Sequence, residues 1–322
     1  MRSVFFYNVE NLFDTIDNPE TFDDPRTPRG RDKWNSRRYK LKLDRLAKVI
    51  SGFGSSLGAG GPDLLGLCEV ENHAVLEDLI YHPELLHLQY CIIHGDSPDE
   101  RGMDVAFLYK RNAFNPISFQ EHRLWIYNEQ QDNEHTRNQL VVAGLMDGEE
   151  YFIIINHWPS RRGGEARSKP YRIAAARLTN RILDSIYERS ENPGVIIMGD
   201  FNDNPTDPSI KHVLKTYGVK NDTIISKRLF NPMEKLFRKG IGSLAYRDKW
   251  SLFDQIIISM NLTLNTKSKY HFWKAGIYKP DFLIDSRGRY KGYPFRSYAA
   301  GKYKGGYSDH FPVFIWLRKE LE

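Results

Sequence analysis

The sequence predicts an α/β chain in which mixed sheets enclose one site built from the whole length of the polypeptide. Three observations carry this reading. Short apolar runs with the length of buried strands recur from one end of the chain to the other. Amphipathic helical segments separate several of them. The early runs end on polar residues, whereas the last two are preceded by them. These facts agree if the later strands run antiparallel to the earlier ones, because every polar group then lies at one edge.

The first strand is read over Arg2 to Asn8, with Glu10 and Asn11 just beyond it. Residues 17–36, rich in Pro, Asp, Arg and Gly, read as a loop. From about Arg37 the spacing predicts a helix, since Leu43, Leu46, Ala47 and Ile50 share one face before Gly52 and Gly54 stop it. The glycine cluster that follows lacks a Gly-Lys-Ser/Thr, which argues against a phosphate-binding P-loop. Residues 63–70 form the second buried strand and deliver Glu69 near its end.

A short helix is expected around His73 to Tyr81, then strands at 89–94, 103–110, 117–124, 139–145 and 151–158. The last of these ends on Asn156 and His157. Its basic glycine loop, SRRGGEARS, holds Arg161 and Arg162 and leads to a helix read from near Lys169, with Ala175, Leu178, Ile182 and Ile186 on its apolar face. The apolar run Val195 to Met198 then stops at Gly199 and presents Asp200 and Asn202 on a turn. Asp203 and Asn204 prolong the turn, and Pro205 prevents the strand from continuing.

After residue 206 the pattern weakens. A strand over 252–259 carries Asp254 near its start, and residues 260–306 are aromatic and basic without clear periodicity. Ser308, Asp309 and His310 immediately precede a final strand. With no internal repeat or low-complexity linker, a single domain over 1–322 is expected, with a basic aromatic insertion at about 265–304.

At 40% hydrophobic and 27% charged, the composition is that of an ordinary soluble globular chain. No apolar run approaches the roughly 20 residues that span a bilayer. The N-terminus shows neither an apolar signal core nor a small-residue cleavage site. Two cysteines, Cys68 and Cys91, sit in apolar runs and read as buried free thiols, so a reducing, cytoplasmic setting is expected. The net charge of +5 is uneven: residues 26–48 and 265–304 each carry ten Lys/Arg against two Asp, a local +8 apiece, leaving 5 − 16 = −11 for the rest. Two basic segments on an acidic body suggest an anionic partner, and the competing explanation is a solvated helix face plus a basic loop.

The chemistry-bearing candidates are Asn8, Glu69, His157, Asp200, Asn202, Asp254, Asp309 and His310. Hard carboxylate and carboxamide oxygens suit Mg²⁺ or Mn²⁺, whereas zinc would recruit more nitrogen or sulfur. Two imidazoles and a spare carboxylate supply proton transfer that the metal does not. Asp104 is the expected orienter of His157. The other histidines, His94 among them, read as structural.

The ordered set carried by FYNVENLFD, Glu69, NHWPSRRGG, GDFN, Asp254 and GGYSDHFPV resembles the endonuclease/exonuclease/phosphatase superfamily, closest to its bacterial endonuclease/exonuclease branch. The resemblance runs from Asn8 to His310. It implies a deoxyribonuclease-I-like four-layered α/β sandwich, with two mixed sheets face to face and helices outside. By the same resemblance Glu69 is the principal metal carboxylate, with Asn8 and Asp309 beside it and Mg²⁺ (or Mn²⁺) as the cofactor. Asp200 and Asn202 orient the water and the scissile phosphate, His310 pairs with Asp254, and His157 contacts the phosphate from the other side. His310 with Asp254 is the preferred general base, with Asp200 the alternative.

The activity expected is metal-dependent phosphodiester hydrolysis of nucleic acid. Hydrolysis of phosphomonoesters or inositol lipids is the second enzyme reading, and a non-catalytic binding module is a third. Arg161, Arg162, Arg296 and Lys302 are the expected substrate contacts. No protein partner is inferred, and a monomer is expected.

Overall fold

The computed structural model describes residues 1–54, 60–127, 132–220, 227–264 and 270–319. Among these residues two large sheets form, one of six strands and one of seven. Each contains a parallel pair linked through a helix. In the six-stranded sheet, Arg2–Leu12 and Leu64–Val70 are parallel and helix α1, Ser36–Gly52, lies between them in the chain. A short helix α2, His73–Ile80, follows. In the seven-stranded sheet, Glu149–His157 and Gly194–Asp200 are parallel and α3, Glu165–Arg189, connects them.

Antiparallel strands flank both pairs. Val313–Arg318 lies beside Arg2–Leu12, and Asp254–Ser259 lies beside Gly194–Asp200. The polar residues that begin these late strands therefore meet those that end the early ones. Asp200 and Asp254 are direct register partners.

Side-chain alternation, period two along each strand, assigns the layers. Val4 and Phe6 pack between the sheets with Ile153, Met198, Ile256 and Ile315. Phe5 and Tyr7 face the other way, into a cluster with Leu46 and Ile50 of α1. Across the molecule, Val195 and Ile197 pack with Ile182 and Ile186 of α3. The result is helix, sheet, sheet, helix, as the sequence implied. A side chain of this size contributes about 1.5–3 kcal/mol when fully buried, so all three apolar layers stabilise the fold. The sheets meet closely at Gly66, where a Cβ would lie 2.5 Å from the Met198 sulfur.

Several boundaries differ from the sequence reading for identifiable reasons. Helix α3 starts at Glu165 rather than near Lys169 because Pro170, a usual helix-start signal, lies inside it. The strand expected at 117–124 is Asn115–His122, an edge strand with mostly exposed residues. The segment 265–304 is not wholly an insertion. Its first five residues lie outside the described residues, and His271–Ile277 is an edge strand paired with Val313–Arg318. A register irregularity at Phe272/Lys274 obscures the alternation there. Both cysteines are free, Cys68 buried as expected and Cys91 only half-buried. Among the described residues no helix is long and apolar enough to cross a membrane.

The two basic segments pack on one another. The Arg26 guanidinium lies 5.3 Å from the Tyr298 ring centroid, Arg38 4.3 Å from Tyr303, and Arg45 4.7 Å from Tyr307. The Lys48 ammonium lies 4.8 Å from the Phe282 ring. These aromatics thus serve as a platform for cations from the first basic segment.

Beneath that face Lys42 is buried, and its Nζ donates to Ser297 Oγ at 2.9 Å and to the Tyr307 carbonyl at 2.6 Å. Glu10 accepts from the Ser297 amide at 2.6 Å. Burial, aided by Asp309 and opposed by Lys42, pushes Glu10 up to about 7. Burial pulls Lys42 down to about 8 against the attraction of Glu10 and Asp309. Truncating Lys42 takes its charged donor from Ser297 Oγ and the Tyr307 carbonyl, at about 1.5–3 kcal/mol per hydrogen bond, and removes the charge that opposes Glu10. Lys42→Met is expected to destabilise the protein by that order in urea unfolding. The double variant Glu10→Gln/Lys42→Met should recover part of the loss, and strictly additive losses would show that the two groups do not act together.

Candidate active site

The site lies where the ends of the two parallel pairs converge, and local irregularity in the strands aims the side chains. Opposite the single residue Glu69, the first strand places Val9, Glu10 and Asn11 between its paired positions Asn8 and Leu12. The pairing of Leu64–Val70 with Asp104–Lys110 also shifts between Cys68 and Val70. Glu69 is the bulged residue on its strand, with φ 63°, and Glu10 and Asn11 are left-handed at 48° and 60°. Bulges of this kind re-aim a side chain away from the regular pleat, and here they direct Glu69 to the sheet end. Its Oε2 accepts from the Asn11 amide at 3.0 Å.

Asn8 connects the two sheets. Its Nδ2 donates to Glu69 Oε1 at 3.2 Å and to Asp200 Oδ2 at 3.0 Å, while its Oδ1 accepts from the Glu10 amide at 3.0 Å. Asp200 Oδ1 accepts from the Asn202 amide at 2.9 Å. Asn202 is itself left-handed, at φ 50°, and its Nδ2 donates to the Trp158 carbonyl at 3.0 Å. Gly199 permits the approach, since a Cβ there would lie 2.4 Å from the Asn156 carbonyl oxygen.

The expected dyad is present. His310 Nδ1 and Asp254 Oδ2 are 2.6 Å apart, and Ser243 Oγ donates to the same carboxylate oxygen at 2.5 Å. Ser308 Oγ accepts from the His310 amide at 3.1 Å and donates to the Asn8 carbonyl at 2.7 Å, which ties this turn to the first strand. Burial alone would lower His310, but Asp254, then Asp200 and Asp309, hold it well above the ordinary imidazole range. Burial, moderated by His310 and reinforced by Asp254, pushes Asp200 up to about 7. His157 behaves oppositely: burial, then Arg137 and Arg101, hold it well below the ordinary value, so its ring is neutral.

Asp200 Oδ2 is the geometric centre, 3.9 Å from His157 Nε2 and 3.9 Å from His310 Nε2. His157 Nε2 is 4.0 Å from Glu69 Oε1, and His310 Nε2 is 4.0 Å from Asp309 Oδ1. These separations exceed hydrogen-bond length but place both imidazoles around one small volume. Asp309 and Glu69 lie at its mouth, with side-chain exposures of 31% and 18%. Carboxylate and carboxamide oxygens with few cations among them fit a hard divalent cation. Asp200, Asp254 and His310 also offer ligating atoms within 4.8 Å of one another. That set is buried, and its Asp254 and His310 are already joined by the dyad bond. Glu69 and Asp309 are the more accessible donors.

One expectation is corrected. Asp104 does not orient His157: its carboxylate meets His94 Nε2 at 3.2 Å and accepts from the Ser97 amide at 2.7 Å, while His157 Nδ1 is buried without a hydrogen-bond partner. Adjacent strand position gave the wrong histidine, because Asp104 starts its strand opposite the end of the one carrying His94. Arg161 is committed to the protein. Its Nε donates to the Asn202 carbonyl at 2.8 Å, and Nη2 reaches Asp203 at 3.0 Å and Asp207 at 2.6 Å. Arg162 is exposed on the adjoining loop. Arg296 lies 3.4 Å from Asp309 at the mouth, and Lys302 is exposed on a short strand.

Sequence reasoning missed Arg137 and Asp203. Arg137 is buried and donates to the Trp158 carbonyl at 3.0 Å and to Asp99 at 2.9 Å. Asp203 receives Arg161 and also the fully buried Arg172, at 2.7 Å, and Ser209 Oγ at 2.6 Å. An arginine in an apolar helix face was the available signal for Arg172; nothing in the sequence marked Arg137.

The fold and this constellation define a phosphate-ester hydrolase class, and the comparisons agree. The model of the Endonuclease/Exonuclease/phosphatase family matches residues 3–319, and the chain belongs to that family. No curated protein sequence matches it. Among solved structures, the chain is similar to D. rerio TDP2 complexed with single strand DNA product, at TM-score 0.57 and 14% identity, over 99% of each chain. It is similar to the Bacteroides thetaiotaomicron mannosyl-6-phosphatase Bt3783 at TM-score 0.57 and 17% identity, over 99% of this chain and 100% of that one. The human Nocturnin catalytic domain aligns at TM-score 0.53 and 16% identity, over 98% and 94%. At such identities these likenesses concern the fold.

Because Arg161 holds the Asn202 turn, Arg161→Ala is expected to lower kcat on a small chromogenic diester, by up to about a hundredfold for a displacement near 1 Å. KM and the salt dependence should change little. A variant with normal kcat and a raised, strongly salt-dependent KM would return Arg161 to the role of phosphate contact.

Proposed function

We propose that the chain is a divalent-metal-dependent phosphodiester hydrolase, with nucleic acid as the first substrate class. The observation that carries this is the convergence of Glu69, Asp200 and the Asp254–His310 pair around the Asn8 carboxamide. Glu69 and Asp309 would hold Mg²⁺ or Mn²⁺, which when bound supplies charge neutralisation at the phosphate, and Asn8, the third expected ligand, would reach it only by turning its Oδ1 from the Glu10 amide toward the carboxylates. Asp254 fixes the His310 ring through Nδ1 and leaves Nε2 facing Asp200. His310 supported by Asp254 is the proposed base for the attacking water in the state where a bound cation offsets the carboxylates that raise it, with Asp200 as the alternative. Asp200 and the Asn202 turn orient that water, and the neutral His157 lies across the same volume, where it can donate to a phosphoryl oxygen.

The basic segments support a polyanionic substrate, since clustered Lys/Arg bind phosphates in a salt-dependent way. Phosphomonoester hydrolysis is the second reading. Comparing bis-p-nitrophenyl phosphate with p-nitrophenyl phosphate separates the two.

Glu69→Gln is expected to keep the fold and lose activity by about two orders of magnitude or more in Mg²⁺, as loss of a charged group at the reacting centre costs several kcal/mol. EDTA should abolish wild-type turnover and added Mg²⁺ should restore it. A folded Glu69→Gln enzyme with near-normal turnover would remove this assignment. For the basic face, Arg296→Ala/Lys302→Ala should weaken binding of an oligonucleotide and make its salt dependence shallower. Equal losses on the small diester would instead indicate damage at the Arg296–Asp309 contact.

A further inference from the structure

The carbonyl of Trp158, the residue after His157, accepts two side chains. Asn202 Nδ2 donates to it at 3.0 Å, and so does Arg137 Nη2, also at 3.0 Å. The Trp158 amide in turn donates to the Asp200 carbonyl at 2.9 Å. One residue therefore joins the strand end bearing His157 to the turn bearing Asp200 and Asn202. The His157 ring has little else to hold it. Its Nδ1 is buried without a hydrogen-bond partner, and its Nε2 lies 3.9 Å from Asp200 and 4.0 Å from Glu69, beyond hydrogen-bond length. Its position is set by packing and by the backbone on either side, and that backbone is held at Trp158.

Arg137 is itself held. Its Nη1 donates to Asp99 Oδ2 at 2.9 Å, and both side chains are only 5% exposed. Asp99 lies between Tyr90–His94 and Asp104–Lys110 of the six-stranded sheet, whereas Arg137 and Trp158 adjoin strands of the seven-stranded one. The Arg101 amide fixes the other Asp99 oxygen at 3.1 Å, and the Gly102 amide donates to the Asp99 carbonyl at 2.9 Å. A planar guanidinium can meet a carboxylate and a carbonyl at once, which a lysine ammonium does less well. The pair lies in the wall of a polar pocket of about 670 Å³ that continues through Pro159 and Ser160. On that side the loops meet open space rather than a packed layer. A buried ion pair is a poor source of net stability, and what this one supplies is geometry.

We propose that Arg137, held by Asp99, is a positioning residue that sets the His157 ring and the Asn202 turn against Asp200 through the Trp158 carbonyl. The inference deepens the reading of the site as a phosphoester hydrolase and rests on it.

Arg137→Lys keeps the charge beside Asp99 and loses the fork. It is expected to lower kcat on bis-p-nitrophenyl phosphate in Mg²⁺ by about tenfold to a hundredfold, as for a displacement near 1 Å, with KM unchanged within about twofold. Arg137→Gln/Asp99→Asn leaves neither charge buried alone and should show the same loss, so it carries the test if the lysine variant does not fold. Combined with Asn202→Ala, either change should cost less than the product of the separate losses, because both donors act on one carbonyl. Amide hydrogen exchange reads the clamp without turnover. Exchange at the Trp158 and Asn202 amides should quicken about tenfold or more, while the Asn11 amide, bonded to Glu69, exchanges as in the wild type. A folded variant with wild-type kcat or wild-type exchange at Trp158 and Asn202 overturns the assignment. Losses that multiply with Asn202→Ala, or exchange quickened at all three amides, overturn it as well. Quickened exchange confined to Trp158 and Asn202, in a protein whose wild type shows no metal-dependent turnover, upholds the clamp and overturns the hydrolase reading instead.

Discussion

The Asn8 carboxamide is the contact on which the site depends. It comes from one sheet and donates to a carboxylate in each, Glu69 at 3.2 Å and Asp200 at 3.0 Å. Without the donor between them these two carboxylates would lose the one group that bonds both, and burial already pushes Asp200 up to about 7. A carboxamide suits this position because it donates without adding charge. A lysine would neutralise the carboxylates and remove their attraction for a metal, and an aspartate would add a third negative group. The face-to-face packing of the sheets therefore has a polar counterpart at the edge, and the two constraints fix the same relative position.

The architecture repeats where the sequence does not. Each sheet holds a parallel pair connected through a helix, and each pair ends on two functional groups: Asn8 and Glu69 in one, His157 and Asp200 in the other. Each pair is flanked by an antiparallel strand that brings the remaining groups, Asp309–His310 and Asp254. Parallel strands present the same end to the same edge, so a strand end is a natural place to gather chemistry. Left-handed backbone at Glu10, Asn11, Glu69 and Asn202 completes the aiming. Such conformations cost about 1–3 kcal/mol each and survive only where surrounding bonds over-determine them. The Glu69 carboxylate bound to the Asn11 amide, and the Asn202 turn bound to Arg161 and Asp200, are those bonds.

Much of this was legible in the sequence because strand runs and their polar ends are local. The antiparallel entry of Asp254 and His310 followed from which end of each run was polar, and the direct pairing of Asp200 with Asp254 shows why that inference worked. What failed were contacts between side chains distant in sequence. Asp104 belongs to His94, a choice made by the meeting of two strand ends that spacing cannot reveal. Arg161 looked like a phosphate contact because a basic glycine loop usually is one. Its actual partners, Asp203 and Asp207, are more than forty residues away, 42 and 46 positions along the chain. The buried Lys42 was hidden inside a basic run that read as a solvated face.

The aromatic rings in and beside the second basic segment pack against cations of the first. In the fold, Tyr298, Tyr303 and Tyr307 each carry a cation from Arg26, Arg38 or Arg45. The rings thereby do structural duty, and the charges of two distant segments combine into one face. That pairing leaves a division of labour around the catalytic volume. The basic face, reached through Arg296 and Asp309, offers net positive charge without specific hydrogen-bond geometry. The pocket near the residues that follow His157 offers balanced charge. On the proposed hydrolase reading, the charge of the basic face acts on an anionic ester over a distance set by the Debye length, about 8 Å in physiological salt.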